Sequence, residues 1–293
     1  MIFGFFTQHF TIICFEFNIL LMTIKTRNRI IIFLMFISFA LLLGSAIITA
    51  LDFFTGNFSL PTYIPYKWLQ DSVITKFNYI AVISSVFLIL LYTSIIYLFI
   101  NVEFEKTQST EVIFFSLFLM GCLTESTRLL FPVLNLWNQV NIIPTLCTRA
   151  VIFGRVTATV ALLLTVICSS PDYRQYVEQN ILISVSGAMI IALLLPLNTS
   201  VIYPVGLVSW GFGKILRSAM ITILIAAVIS QYLKSFISTN KTIALATGIL
   251  MISIGYYFLC ATINYLFLGL GFVFLMSGTI LYLKTLHRQY LWT

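Results

Sequence analysis

Charged residues make up only 9% of this 293-residue sequence, against about 25% in soluble domains. So few cannot build a water-facing shell, which excludes an ordinary soluble fold. Histidine is scarcer still, with His9 and His287 the two present. Neither stands in an HExxH or HxxxxD pattern, so a metal-dependent or histidine-dependent active site finds no ligands in the sequence. No Walker-type loop occurs, which excludes ATP hydrolysis by this chain. The cysteines Cys14, Cys122, Cys147, Cys168 and Cys260 are scattered and form no CxxC. They indicate neither zinc nor a disulfide framework and read as small buried hydrophobes. No cofactor is implied, and the expected class is not an enzyme.

The basic excess, +7, is spread over loops and helix ends with no RNP-like, zinc-knuckle or helix-turn-helix pattern. That distribution argues against nucleic acid and for topology and anionic lipid head groups.

What the chain has in quantity is apolar length. About twenty helical residues cross a hydrocarbon core of roughly 30 Å, and eight such runs occur. They are Ile30–Leu51, Tyr79–Ile100, Val112–Trp137, Thr145–Cys168, Ile181–Leu197, Leu207–Leu233, Thr242–Cys260 and Tyr265–Leu283. The expected fold is an all-α polytopic integral membrane bundle of about eight transmembrane helices, with residues 22–293 forming one domain. Basic residues set its orientation. Placing the N-terminus inside gives the inner side Lys25, Arg27, Arg29, Lys106, Arg174, Lys234, Lys241, Lys284 and Arg288. The outer side receives Lys67, Lys76, Lys214 and Arg217. Both termini are then cytoplasmic, as in a multi-pass protein of the plasma or inner membrane. Tyr63, Tyr66, Trp68, Trp137, Tyr203 and Trp210 are expected near the outer interface.

Residues 1–21 are Phe-rich with Glu16 as the one charge. They read as an over-extended start, an interfacial helix, a ninth span or part of a secretory signal; the length of the following apolar run favours an uncleaved anchor. Small residues at Ala150/Gly154/Ala158, Ala40/Gly44 and Ala244/Gly248 are spaced for close helix packing. Leu195–Gly213 carries Pro196, Pro204, Gly206, Gly211 and Gly213, which predicts either a broken, re-entrant helix or a plain outer loop.

One constellation carries charge into the bilayer. Glu125 and Arg128 stand three apart in the third run and share a helix face. Arg155, Arg149, Lys214 and Arg217 lie in the outer half of the fourth and sixth runs, against the positive-inside bias. Five cations around one carboxylate predict a basic pocket open outward, binding an anionic small molecule or lipid head group. In it Glu125 orients Arg128, Arg155 makes the deepest ligand contact, and the other three assist access. The rival readings are a structural triad with snorkelling lysines and arginines, or a ligand-sensing or accessory subunit. A subunit of that kind would act through a membrane or cytoplasmic partner protein at Asn101–Glu111 or Ser169–Asn180.

Overall fold

The computed structural model describes residues 24–61, 76–105, 107, 109–138, 142–169, 176–237 and 243–291. The leader 1–21 with Cys14, and Tyr63, Tyr66, Lys67, Trp68, Lys106, Arg174 and Lys241, lie outside the described residues, as do parts of Asn101–Glu111 and Ser169–Asn180. Within them, hydrocarbon provides no partner for a bare peptide group, so the apolar runs satisfy their backbones internally as helices. The order is α1 (Ile24–Thr55), α2 (Tyr79–Glu103) and α3 (Thr110–Leu123). A 3-10 segment, Thr124–Leu129, and a short α4 (Leu130–Val133) continue the third span. Then come α5 (Ile142–Ile167), α6 (Val177–Leu194), β1 (Leu197–Tyr203), β2 (Leu207–Trp210), α7 (Gly213–Ile237), α8 (Ile243–Cys260) and α9 (Tyr265–Leu291). Among the described residues, eight helical spans are long and apolar enough to cross a membrane. The chain is therefore an all-α, multi-pass membrane bundle in contact with lipid.

The third span is the hub. Of its apolar window 72% is buried, against 11% for α1 and for α7. Helices α2, α5, α8 and α9 complete the core around it, where Tyr92, Tyr97, Phe115, Phe118 and Ile249 are enclosed. Glycine lets the centre close. A Cβ on Gly121 would come within 2.6 Å of the Gly154 carbonyl and 2.9 Å of the Ala158 side chain. The small residues foreseen on the fourth span thus meet the third span backbone to backbone. Gly248 packs likewise against Tyr282, joining α8 to α9, whereas Gly44 on α1 faces open space.

One end of the bundle collects both described termini. Arg27, foreseen as a loop cation, is buried there. It caps α2 by donating to the carbonyls of Phe104 (2.6 Å) and Thr107. Alongside, Tyr290 bonds Glu111 at 2.6 Å and Thr110 bonds the Cys168 carbonyl at 3.0 Å. Glu111, read as part of a segment at which a partner protein would act, is a buried tie between α3 and α9.

The opposite end is closed by a hairpin. Residues read as a broken helix or loop, with the sixth helix starting at Leu207, pair instead as antiparallel β1 and β2, and α7 begins at Gly213. Ile202 pairs with Val208 and Tyr203 with Leu207, leaving Pro204-Val205-Gly206 as a three-residue turn. Proline presets the first turn residue and Gly206 takes φ +72°, so the residues that break a helix here build a tight reversal. The hairpin packs inward. Leu207 and Val208 are buried, and the Val208 amide donates to Thr148 Oγ1 of α5 at 2.9 Å. Removing that acceptor in Thr148→Val leaves a buried N–H bare, at an expected cost of about 1–3 kcal/mol. Thr148→Ser should stay near wild type in the same thermal unfolding measurement. Trp137, foreseen at the interface, is also turned inward, with its indole N–H 3.1 Å from Ser59 Oγ.

Candidate functional site

Glu125 and Arg128 occupy the 3-10 segment of the third span. Pro132 follows and cannot donate to the carbonyl of residue 128, so α-helical bonding fails there. Thr124 and Thr127 hydroxyls bond the carbonyls of Gly121 and Thr124, each at 2.8 Å, as helical Ser and Thr hydroxyls ordinarily do. In a 3-10 turn, residues three apart eclipse one another. That places Arg128 Nη1 3.0 Å from Glu125 Oε2.

Across the Gly121–Gly154 crossing, α5 delivers Arg155. Its Nε lies 2.6 Å from Glu125 Oε1 and its Nη2 3.0 Å from Oε2. The same Nη2 donates to the Cys260 carbonyl at 3.1 Å, the last residue of α8 and the negative end of that helix's dipole. Arg128 Nε donates to the Val205 carbonyl at the hairpin tip, 2.9 Å away. Glu125 is wholly enclosed and Arg128 is 3% exposed. One carboxylate thus ties the third and fourth spans together, while the two arginines reach the hairpin and the end of the seventh span.

The cluster is not electrically closed. Two guanidinium ions face one carboxylate, leaving one positive charge in excess. Arg128 Nη2 is buried and has no hydrogen-bond partner among the described residues. Arg128 also lines a cavity of about 10 Å³ with Tyr79, Ile83, Pro132, Val205 and Gly206. That volume is on the scale of one water. It lies against the first turns of α2, which begins at Tyr79.

Of the six residues singled out from sequence, three converge: Glu125, Arg128 and Arg155. Arg149 is half-buried on α5 with its Nε enclosed and unpartnered, and it makes no ion pair among the described residues. Lys214 and Arg217 stand at exposed positions on the first turns of α7 and likewise make no ion pair among the described residues. Arg155, assigned the deepest ligand contact, has its Nε and Nη2 directed at Glu125 and Cys260. Within the cluster of Glu125, Arg128 and Arg155, the donor without a partner among the described residues is Arg128 Nη2. Sequence reasoning missed Tyr79, Val205, Gly206 and the Cys260 carbonyl. The signal for the hairpin was present, since β-prone runs flank a Pro-Val-Gly turn; a backbone carbonyl leaves none.

No protein-family model, curated protein or solved structure matches the chain.

Proposed function

We propose that this membrane protein binds a small anionic group, carried by a solute or a lipid head, at Arg128, and holds or passes it within the bilayer. The observation that carries the reading is the buried, unpartnered Arg128 Nη2 in a cluster with one positive charge in excess. A buried donor without a partner is costly, the more so on a charged group, and an anion or a water removes that cost. An anion also balances the charge, which water does not. Glu125 and Arg155 then act as the frame that fixes Arg128. Lys214 and Arg217, at the same end of the bundle as the hairpin, would raise the local concentration of anions.

The reading is of binding and not of catalysis. Ser184 and Ser186, the hydroxyls of the fifth span, donate to the Ile181 and Ile183 carbonyls in the ordinary helical manner. The distribution of basic residues supports both termini inside and the hairpin end outside.

Thermal unfolding of the purified chain in a neutral detergent, with chloride, acetate or inorganic phosphate added, tests the reading. Binding to the folded state at about a hundred times Kd adds roughly 2.7 kcal/mol, so at least one anion should raise Tm by several degrees. The rise should vanish in Arg128→Gln and persist in Arg149→Gln. A flat response to every anion, added as salt or on lipid, or a rise that Arg128→Gln retains, overturns it. Anion flux into liposomes containing the protein then separates a carrier from a binding subunit.

A further inference from the structure

We infer that the anion at Arg128 is the head group of a membrane lipid whose hydrocarbon chain lies between α1 and α2. The inference rests on the reading above and deepens it. Beside the small cavity lies an apolar groove of about 560 Å³, lined by Ala46, Ala50, Phe53, Phe58, Ile83 and Phe87 among others. Its size falls within the roughly 300–1,000 Å³ of ordinary ligand sites.

The two spaces adjoin. Ile83 lines both. The Phe58 ring, on the groove, stands 6.4 Å from the ring of Tyr79, on the cavity. Ser59 is tied to the carbonyl of Pro132, which walls the cavity, by its amide (3.3 Å) and its hydroxyl (2.8 Å). Both spaces therefore sit at the hairpin end of the second span.

Their sizes and chemistry select the occupant. A cavity of about 10 Å³ admits a single oxygen-sized group, far less than a whole carboxylate or phosphate solute. The rest of any ligand that reaches Arg128 must lie outside the cavity, and the adjoining space is hydrocarbon-like. One anionic oxygen joined to an apolar chain fits both, with the excess positive charge of the cluster complementing the head. The groove opens on the flank of α1, the least buried span together with α7, where acyl chains are the solvent.

The test compares phosphatidylglycerol, phosphatidylcholine of the same chains, and inorganic phosphate as additives to the detergent-purified full chain. The readouts are Tm and lipid retention. Phosphatidylglycerol should half-saturate at a concentration at least tenfold below phosphatidylcholine. Arg128→Gln should abolish that preference and Arg128→Lys should keep part of it. Ala50→Trp fills the groove from an exposed position on α1, leaves the core untouched, and should raise half-saturation by phosphatidylglycerol at least tenfold. Equal response to the two lipids, or an Ala50→Trp variant that binds like wild type, overturns the lipid inference. If inorganic phosphate or chloride still acts through Arg128, anion binding survives without the lipid. If nothing acts through Arg128, both readings fall.

Discussion

Replacing Glu125 with glutamine is expected to lower stability by about 3–5 kcal/mol, the penalty for leaving buried charges without their partner. Both arginines lose the carboxylate that neutralises them, at 2.6 Å for Arg155 and 3.0 Å for Arg128. The Val205 and Cys260 carbonyls carry only partial charge and cannot replace it. Denaturation of purified protein should show the loss, with the hairpin and the α3–α5 crossing becoming susceptible to protease together. Removing the whole cluster should be less harmful than breaking it. Glu125→Leu with Arg128→Met and Arg155→Met takes three buried charges out at once, and such swaps are often neutral or stabilising. The triple variant should therefore regain most of the stability lost by Glu125→Gln while losing every anion response. A triple variant as unstable as the single one would mean that the cluster's hydrogen bonds, and not its charge balance, hold the spans.

The second large effect comes from a residue with no side chain. A Cβ on Gly154 would stand 1.7 Å from Thr124 Oγ1 and 2.5 Å from the Gly121 carbonyl. The threonine hydroxyl can rotate away; the carbonyl belongs to a packed helix and cannot. Gly154→Leu is expected to separate the third and fourth spans and cost at least the 1–3 kcal/mol usual for overpacking. It should also pull Arg155 off Glu125, so anion response and stability fail together. Gly44→Ala is the contrast. No atom lies within 4 Å of its Cβ, so it should match wild type or gain helix stability of up to about 1 kcal/mol. Equal behaviour of the two variants in thermal unfolding would refute the close crossing.

Most of this fold was legible in the residues because lipid imposes one rule, and apolar runs of span length obey it. The eight runs correspond to the eight helical spans among the described residues. The Glu125–Arg128 pair was visible for a local reason, since any helical geometry brings residues three apart to one face. Gly154 and Ala158 were visible as small residues at helical spacing. What escaped was non-local. Arg27, Lys214 and Arg217 carry the same charge, yet one is locked onto the carbonyls ending α2 and the other two are exposed. Nothing in the sequence near Arg27 announces those carbonyls. Pro204 and Gly206 were read for what they forbid in a helix; the alternating β-prone residues beside them decide what they build. Charge counted along a chain does not say which helix faces turn inward: Glu125, Arg128 and Arg155 meet, while Lys214 and Arg217 are exposed.

The ionic cluster is written across the chain at positions 125, 128, 155, 205 and 260, and that order has a consequence for biogenesis. At about 5–20 residues per second, Cys260 leaves the ribosome roughly 5–20 s after Arg155, the two being 105 residues apart. Until then Arg155 has Glu125, 30 residues earlier, as its one strong counter-charge. The third and fourth spans should accordingly leave the translocon as a helical pair, because the fourth alone would carry an uncompensated guanidinium into the lipid.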